Sequence, residues 1–596
     1  MTPFTAPLNV HHLLRKKKAI RRELLQSRAR LEEKRIAILG GSTTAELKDM
    51  LELFLLNSGF EPAFYESEYN RYFEDLAFPD SALKSFKPDV IYLHTSNVNI
   101  MRYPSLTDDA AAVERLVEEE LQKFKTLWDG AELNYNCPVI QNNFEMPHAR
   151  VLSNLDCYAL QGHSRFVAEL NRRFSEEARL RKQLYLNDIH YLSAWFGLER
   201  WYDLTAWYAY KYAMSLQAIP HIAQNVCAII NSIFGKSKKC LVLDLDNMLW
   251  GGVIGDDGLG GIQLGSDTAS GESYIGFQHY VKDLKDRGII LAVCSKNEEI
   301  NAKEGFAHSD SVLRFDDFSA FQANWNDKHD NVRRIAKTLN IGIDSLVFVD
   351  DNPAERELVR AQEPLVAVPE IGDDVTKFIS ILDKSGLFEA VSLSREDLRR
   401  TAFYSDNSKR VSSEAQFENY DAFLQSLEMV AEIKPLTEIF AERAVQLCNK
   451  TNQFNVTTRR VTMTQMNDMI SDPDVITIYG RLEDKFGDSG LVSLMSGDIR
   501  DEALHISLWL MSCRVLKRGL EGAMLDRMAA LAKARGLTSM VGYYLPTPKN
   551  KMVSELFAEM GFEPYADAEG QAGRWRLDLG SPYQNRNSII RVNHGT

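Results

Sequence analysis

The chain has 596 residues, a formal net charge of −14 and seven cysteines, and at about 100–200 residues per domain this length predicts three or four domains. The acidic balance argues against nucleic-acid binding and against broad contact with anionic membranes, since both require basic surface, and no apolar run reaches the roughly 18 residues of a membrane span. Because the cysteines form no Cys-x-x-Cys pair and the N-terminus lacks the order of a secretory signal, we predict reduced thiols, a cytoplasmic location and neither a disulfide framework nor a zinc site.

The first segment, residues 1–34, alternates basic residues with leucine and is predicted as an amphipathic leader helix. Packing on the first domain is the favoured arrangement, and a calmodulin-target or membrane-surface role is the alternative. Residues 35–225 alternate strand-like apolar runs with long helical patterns. This alternation predicts an α/β domain whose parallel sheet is covered on both faces.

A serine follows the first predicted strand of this domain on a sharp turn. Ser42 comes after two glycines, and the next backbone amides are available as oxyanion donors. The turn resembles the first block of an SGNH-type hydrolase fold, which ends in an Asp-x-x-His pair. Here Asp188 and His190 are one residue too close. A fold kept for packing or partner recruitment is therefore favoured over an active hydrolase.

Three further segments follow along the chain. Residues 238–385 carry buried strands that each end in polar residues and are predicted as a second α/β domain. Residues 386–425 are polar and helical in pattern and are predicted as a connector. Residues 426–580 mix antiparallel-looking strands with helices, which indicates an α+β domain, and the residues from Ser581 onward are predicted as a frayed tail. The predicted fold class is multidomain α/β.

Acidic residues follow two of the strands in the middle domain. Asp244 and Asp246 come directly after one strand, and Asp350 and Asp351 follow another. Because the carboxyl ends of parallel strands meet at one edge of a sheet, we expect these side chains to converge on one hard cation. Oxygen ligands of this kind suit Mg²⁺. An isolated Asp-x-Asp after a strand is often only a turn cap, so the prediction depends on the whole set.

Two further side chains complete the predicted site. Ser295 lies just past a third strand and offers a hydroxyl, and Lys328 offers a mobile cation for phosphate charge. A carboxylate nucleophile, a metal, a hydroxyl and an ammonium together predict phosphoryl transfer to or from a small phosphorylated substrate.

These residues resemble the motifs of the haloacid-dehalogenase-like (HAD) phosphotransferases. The resemblance implies that Asp244 is the phospho-accepting nucleophile and that Asp246 is an acid/base which also ligates the metal through its carbonyl. The other implied roles are phosphate binding by Ser295 and Lys328, and metal binding by Asp350 and Asp351. One departure is Met248, which stands where the family usually has Thr or Val, so a hydroxyl near phosphate is missing. No large cap insertion follows, and an open site is expected.

A narrower resemblance covers about residues 35–580. The run 239–258, with motifs at 294–297, 349–355 and 449–455, is similar to the FkbH-like family. The resemblance implies SGNH/flavodoxin-like, HAD-like and GNAT-like domains. It also implies an enzyme that dephosphorylates 1,3-bisphosphoglycerate and delivers a glyceryl group to the phosphopantetheine thiol of an acyl carrier protein, as in polyketide biosynthesis. The alternatives are a Mg²⁺-dependent phosphatase fused to a CoA-dependent acyltransferase of glycan or lipid precursors, and a scaffold with inactive sites.

A thioester on a cysteine would divide this acyl transfer into two easier steps. Cys294 is the best-placed candidate because it ends a strand beside Ser295. Cys240 begins a strand and is expected at the opposite edge of the sheet, and Cys513 belongs to the last domain. For each cysteine taken singly, a small buried apolar residue is the favoured interpretation.

The last domain contains a candidate anion-binding turn between a strand and a helix. Gly519 allows close approach at the helix start, and Arg514 and Arg518 flank it. The turn resembles the pyrophosphate-binding loop of the GNAT acyltransferases, and Asn550 fits a later region of that fold. The implied use is binding of carrier-protein phosphopantetheine or CoA, with a simple helix cap as the alternative. Arg514, Lys517 and Arg518 would form the basic patch that an acidic carrier requires.

Overall fold

The computed structural model describes residues 3–27, 31–78, 82–394, 398, 410, 417, 419–451, 453–547, 550–565 and 573–593. Contacts divide the chain into two units, Met1–Ser237 with Lys384–Val391, and Lys238–Asp383 with Ser392–Thr596. Each unit has its own hydrophobic cores. Within the described ranges no helix has the length and apolar character that crossing a membrane would require.

The first unit is built on a parallel sheet in the order β2-β1-β3-β4-β5, the flavodoxin-like order. Its strands are β1 (Glu32–Gly40), β2 (Phe60–Glu66), β3 (Val90–His94), β4 (Val139–Asn142) and β5 (Leu184–Asn187). Its helices are α1 (Val10–Ser27), α2 (Ala45–Asn57), α3 (Tyr72–Ala77), α4 (Ala82–Phe86), α5 (Ala110–Tyr135), α6 (His163–Leu180), α7 (Ile189–Phe196), α8 (Leu198–Trp201), α9 (Leu204–Tyr210) and α10 (Ile219–Ile233).

Alternate side chains of β1 enter two different cores of this unit. Ile36 and Ile38 belong to one core, and Ala37 and Leu39 belong to the other. A strand that is apolar on both sides lies between two layers of helices, since successive side chains point to opposite faces. The predicted three-layer α/β architecture is confirmed.

The middle domain has a second parallel sheet, in the order β8-β7-β6-β9. The strands are β6 (Cys240–Leu243), β7 (Ile290–Ser295), β8 (Ala320–Ala323) and β9 (Leu346–Val349). The helices are α11 (Ile254–Asp257), α12 (Ala269–Asp286), α13 (Glu299–Glu304), α14 (Lys328–Leu339), α15 (Pro353–Gln362) and α16 (Val375–Lys384). Every residue of β6, β7 and β9 is buried, as expected for strands covered on both faces.

The last domain is a mixed sheet in the order β16-β17-β15-β14-β13-β12-β10-β18, with β11 paired to β14. Its strands are β10 (Val430–Pro435), β11 (Phe454–Asn455), β12 (Val475–Asp484), β13 (Gly487–Arg500), β14 (Ala503–Met511), β15 (Ser539–Tyr543), β16 (Glu563–Pro564), β17 (Arg574–Asp578) and β18 (Arg591–Asn593). Its helices are α17 (Tyr420–Ser426), α18 (Glu438–Lys450), α19 (Met463–Ser471), α20 (Leu520–Ala534) and α21 (Leu556–Glu559). This is the α+β organisation predicted.

Strand β11 occupies the place where β14 and β15 separate. These two strands pair in parallel only as far as Ile506 on β14. Beyond that point β11 pairs antiparallel with the end of β14, and Val456 N donates to Trp509 O at 3.1 Å. On the other side, Leu545 N donates to Val456 O at 2.9 Å. The backbone edges that face the gap are therefore already hydrogen-bonded.

The prediction of a frayed tail from Ser581 is wrong. β18 pairs in parallel with β10, and the Tyr583 hydroxyl donates to Asp526 Oδ1 at 2.7 Å. Arg586 N donates to the same oxygen at 2.8 Å. A short polar segment resembles a tail in the sequence because its partners lie far away along the chain.

About half of the predicted connector, residues 386–425, lies outside the described residues. Its first part differs from the prediction, since Lys384–Val391 belongs to the first unit. Its last part begins α17, as the helical pattern indicated.

Candidate phosphoryl-transfer site

Two neighbouring strands bring the acidic residues of the middle domain together. In the pairing of β6 with β9, Leu243 lies opposite Val349, so Asp244 and Asp350 leave the sheet side by side. Asp244 N donates to Val349 O at 3.1 Å, which extends the ladder to the first carboxylate. The parallel register therefore produces the convergence that the strand ends predicted.

Asp244, Asp350 and Asp351 form a cluster that could hold a metal ion. Each offers a carboxylate oxygen, and these oxygens lie within 4.8 Å of one another. Asp244 Oδ1 is buried and accepts no hydrogen bond from any described residue. Since a buried carboxylate oxygen without a donor is costly, the residues present fit a hard cation such as Mg²⁺.

Lys328 lies inside the same cluster at the start of α14. Its Nζ is 2.8 Å from Asp244 Oδ2 and 2.5 Å from Asp350 Oδ2. Burial by itself lowers the pKa of Lys328, but the charges of Asp244 and Asp350 outweigh burial and raise that pKa. The ammonium therefore stays charged, and Ser295 is brought close by as the last residue of β7.

The cluster carries more negative charge than one ammonium balances. Burial, and next the charge of Asp244, raises the pKa of Asp350 to about 7. The same two causes, in the same order, raise the pKa of Asp351. The charge of a divalent cation bound by these carboxylates would lower both pKa values, so metal binding is expected to release a proton near neutral pH.

Asp246 is held by three donors. Its Oδ1 accepts hydrogen bonds from Trp250 Nε1 at 2.9 Å and from Ile254 N at 3.0 Å. Its Oδ2 accepts one from Asn297 Nδ2 at 2.7 Å. Burial is the main reason that the pKa of Asp246 is raised, which suits a group that must carry a proton. Trp250 and Asn297 were not predicted as site residues.

A cavity of about 220 Å³ opens at these strand ends, and its walls are polar. At its edge Lys296 Nζ lies 2.6 Å from Glu355 Oε1. The lining residues are Asp244, Asp246, Asn247, Ser295, Lys296, Lys328, Asp351, Asn352 and Glu355. Four of them were missed as site residues: Asn247, Lys296, Asn352 and Glu355. The signal was present, because each lies within a few residues of a predicted one.

Met248, the departure from the HAD pattern, is fully buried. Its side chain is not among those that line the cavity. Met248 therefore leaves the polar walls of the cavity intact, and Ser295 and Lys328 remain among the lining residues.

The structure contradicts the predicted role of Cys294 as carrier of a thioester. The side chain is fully buried, and its Sγ donates to Lys328 O at 3.6 Å. Burial raises the pKa of this thiol, so the reactive thiolate is disfavoured. Cys240 is equally buried with a raised pKa, whereas Cys513 is half-buried.

Two residues predicted to bind an acyl carrier or CoA are structural instead. Arg518 is buried, and its Nη1 lies 3.1 Å from Asp484 Oδ2. Arg410 pairs with the same carboxylate at 2.8 Å. Burial, and next the charge of Arg410, lowers the pKa of Arg518 to about 10. Asn550 is fully buried, so neither side chain is presented to a partner.

The remaining part of the predicted anion site is a turn before α20. Gly519 has a φ of +82° and is the N-cap of that helix. Arg514 lies in the short 3-10 turn Cys513–Val515 and is half-buried. This geometry is that of a helix start, the alternative considered for the sequence. Anion binding by Arg514 and Gly519 therefore remains a prediction.

The predicted hydrolase residues of the first unit are not assembled into a triad. Ser42 is 3% exposed. Asp188 Oδ1 accepts hydrogen bonds from Tyr191 N at 3.0 Å and Asn143 Nδ2 at 2.7 Å, which makes it the N-cap of α7. His190 Nδ1 is buried and has no partner among the described residues. The SGNH-type site is therefore not supported, and the order of the sheet alone agrees with that fold.

Comparisons with known proteins match two parts of the chain. The model of the FkbH N-terminal domain family matches residues 35–231. The crystal structure of the N-terminal part of BF1531 from Bacteroides fragilis, described as containing a phosphatase domain and complexed with Mg, is 34% identical with a TM-score of 0.59. That match covers 63% of this chain and 99% of the Bacteroides chain. A search of curated proteins gives no match.

Acetyltransferases match a smaller part. The ribosomal-protein-S18-alanine N-acetyltransferase of Escherichia coli is 11% identical with a TM-score of 0.20, covering 26% of this chain and 98% of its own. The PaiA N-acetyltransferase of Thermoplasma acidophilum, in complex with coenzyme A, is 13% identical with a TM-score of 0.21, covering 25% and 98%. Because these TM-scores are so low, the matches carry no argument about the last domain. Its fold is described from its own strand order.

Proposed function

Because the chain belongs to the family of the FkbH N-terminal domain and of the Bacteroides fragilis protein with a phosphatase domain, we propose that it transfers a phosphoryl group from a small phosphorylated substrate with Mg²⁺ as cofactor. The observation that carries this proposal is Asp244 Oδ1, which lies buried at a polar cavity and has no hydrogen-bond donor among the described residues. A carboxylate oxygen in this state is free to attack phosphorus.

The chain's own residues supply each step. An Asp244 oxygen forms a bond to phosphorus while the bond to the leaving oxygen breaks, and Asp246 gives that oxygen its proton. Water then attacks the phosphorus of the aspartyl phosphate while Asp246 takes a proton from that water, and the bond between phosphorus and the Asp244 oxygen breaks, so phosphate leaves. The three donors on Asp246 keep its carboxyl group oriented through both steps.

Charge around the phosphoryl group is balanced by Lys328, with Ser295 as a neutral donor. The residues that would hold Mg²⁺ are Asp244, Asp350 and Asp351, together with the backbone carbonyl of Asp246. When bound, the metal neutralises negative charge that develops on the transferred group. Lys328 remains available for the phosphate oxygens because its pKa is raised.

The finer proposal concerns substrate and acceptor. We propose 1,3-bisphosphoglycerate as substrate and the phosphopantetheine thiol of an acyl carrier protein as acceptor. The carrier sulfur forms a bond to the acyl carbon, the acyl carbon–oxygen bond breaks, and phosphate leaves with the proton of the thiol. The second phosphate, an ester, is removed at Asp244. Direct attack by the carrier thiol agrees with the burial of Cys294, and walls that are polar throughout suit a short polar substrate.

Intact-protein mass spectrometry, combined with a phosphate-release assay, tests both the proposed phosphoryl transfer and the proposed substrate and acceptor. The protein is mixed with 1,3-bisphosphoglycerate and phosphopantetheinylated carrier, with and without Mg²⁺, while phosphate release is followed in parallel. Wild type is expected to release phosphate and to add one glyceryl unit to the carrier. Asp244→Asn should lose release of the ester phosphate, whereas Asp256→Asn, an exposed neighbour, should behave as wild type. Ester hydrolysis that persists in Asp244→Asn would reject the assignment of the nucleophile.

A further inference from the structure

Helix α1 concentrates positive charge on a chain that is acidic overall. The chain has a net charge of −14, yet residues 10–22 contain no acidic residue. The cations of this stretch are Arg15, Lys16, Lys17, Lys18, Arg21 and Arg22. Most surfaces intersperse the two signs of charge, and a face of one sign is typical of electrostatic steering.

The inner face of α1 is fixed to the first unit. Leu13 and Ile20 are buried in the core beside α2 and α10. Lys17 Nζ lies 2.7 Å from Glu46 and 2.8 Å from Asp49, and Arg21 pairs with Glu52 at 2.9 Å. Packing and these ion pairs set the rotation of the helix and neutralise two of its cations.

The outer face keeps four cations without acidic partners. Arg15, Lys16, Lys18 and Arg22 are exposed. None of the four forms an ion pair with an acidic residue in the described part of the chain. The Arg15 guanidinium lies 3.5 Å from Nε2 of the exposed His11 ring. The outer face is therefore a positive strip held in a defined orientation.

We propose that this outer face of α1 is a docking surface for an acidic protein, and, on the basis of the proposed function, that this protein is the acyl carrier. A membrane-bound amphipathic helix needs a free apolar face, but Leu13 and Ile20 are already in the core. Nucleic-acid binding commonly neutralises about six or more phosphates, which exceeds the four exposed cations of this strip. An acidic helix of a folded partner can contact this strip through charge pairs. Charge complementarity across such an interface orients the partner and raises the rate of association.

This assignment removes a difficulty with carrier docking. The basic patch expected in the last domain depends on Arg518, whose charge is balanced by Asp484 in the interior. The first unit offers exposed cations instead. The carrier would therefore meet the helix that precedes the first sheet.

The test is a charge reversal on the outer face. Lys16→Glu, Lys18→Glu and Arg22→Glu are combined in the full-length protein. The control combines Arg150→Glu, Arg179→Glu and Lys182→Glu, three exposed cations of the same unit with the same change in charge. The probe is an acidic phosphopantetheinylated acyl carrier protein bearing a fluorophore, and its dissociation constant is measured by anisotropy at low and high salt.

Wild type is expected to bind more weakly as salt rises, since exposed charges are screened. The α1 variant should bind about tenfold or more weakly at low salt and lose most of the salt dependence, while the control stays within about twofold of wild type. Melting temperature and hydrolysis of p-nitrophenyl phosphate should not change in either variant.

Several results would overturn the inference: no binding of the carrier by wild type, an α1 variant that binds as wild type, or an equal loss in the control. Tighter binding to phosphatidylglycerol vesicles or to duplex DNA than to the carrier would also overturn it. A wild-type protein that binds the carrier through α1 but releases phosphate from neither 1,3-bisphosphoglycerate nor p-nitrophenyl phosphate supports the docking surface and refutes the proposed phosphoryl transfer. The two failures are therefore distinguishable.

Discussion

Lys328 is the residue on which the charge balance of the acidic cluster depends. Its Nζ contacts both Asp244 and Asp350, and no other ammonium among the described residues is placed between them. Removing it leaves buried carboxylates without a cation, which is costly. Burial and the charge of Asp244 raise the pKa of Asp350 while Lys328 lowers it, so removal of Lys328 should raise this pKa further.

Lys328→Met is therefore expected to lower kcat for phosphate release by about 10²–10³-fold. It should also strengthen Mg²⁺ binding at about pH 9, where the carboxylates are ionised and no ammonium repels the metal, as measured by titration calorimetry. Lys337→Met, an exposed position of the same helix, is the control and should match wild type. Unchanged kcat in Lys328→Met would show that phosphate charge is met elsewhere.

In the first unit, Glu145 is another carboxylate whose pKa is raised by burial. It is fully buried, and its Oε2 accepts a hydrogen bond from Asn97 N at 3.2 Å. Burial raises the pKa of Glu145 from 4.5 to about 7. Folding therefore favours the protonated form of Glu145. The contribution of this proton to the free energy of unfolding is complete below pH 4.5 and is lost as the pH rises to about 7. Above that pH, Glu145 causes no further change in stability.

Replacing Glu145 with Gln removes this titration. The free energy of unfolding of Glu145→Gln, minus that of wild type, should increase by about 2–3 kcal/mol when the pH is raised from about 5 to about 7.5. Urea denaturation at both pH values measures the difference. Glu176→Gln, an exposed carboxylate of α6, is the control and should show a smaller change. A constant difference for Glu145→Gln would mean that its carboxyl group does not titrate in this range.

Among the elements, β11 has the largest consequence for the last domain. Two strands that part from each other expose unsatisfied backbone groups, and an extended segment can satisfy them. Here the segment belongs to the chain itself. Asn550 Nδ2 clamps it by donating to Asn455 O and to Leu545 O, both at 2.9 Å.

Asn550→Ala should therefore destabilise the protein by about 2 kcal/mol, because buried acceptors lose their donor. Thermal unfolding measures this loss, and Lys551→Ala, the exposed neighbour, should be neutral. Phosphate release should be unchanged in both variants, because Asn550 lies outside the phosphoryl-transfer cavity. An Asn550→Ala protein that is as stable as wild type would show that the clamp contributes nothing.

For the whole molecule, the proposed metal site belongs to one of the two units. The acidic cluster belongs to Lys238–Asp383 with Ser392–Thr596. A ligand that binds only the folded state raises its melting temperature. Mg²⁺ should therefore shift the calorimetric transition of this unit upward by several degrees, and a chelator should reverse the shift.

Asp351→Asn should reduce the shift caused by Mg²⁺, whereas Asp256→Asn should retain it in full. Phosphate release should follow the same order. An upward shift of equal size in Asp351→Asn would exclude that carboxylate as a ligand. A shift confined to the other unit would place the metal away from the proposed site.

Much of the fold and part of the site could be predicted from local patterns. Apolar runs that end in polar residues predicted buried parallel strands, and parallel strands have a common carboxyl edge. Asp244 and Asp350 therefore converge as predicted. Asn297 and Trp250 were not predicted as donors to Asp246, because nothing in the chain indicates how a side chain turns after its strand ends.

Burial of individual polar groups was the main source of error. In the sequence, Arg518 resembles an exposed anion-binding residue. In the structure it is buried and forms an ion pair with Asp484, the last residue of β12. Cys294 follows the strand pattern of its neighbours and is enclosed by them. The segment after Ser581 pairs with a strand more than a hundred residues earlier. Each outcome depends on a partner that is distant along the chain.

The amino-acid sequence by itself determined the class of fold, the strand ends that carry acidic residues and the chemistry that those residues favour, since these depend on periodicity and residue type. Only the tertiary structure decided which cations are buried, which thiol is enclosed, which donors hold Asp246 and which face of α1 stays free. These properties depend on how densely packed neighbours exclude water from a group, and such neighbours come from separate parts of the chain.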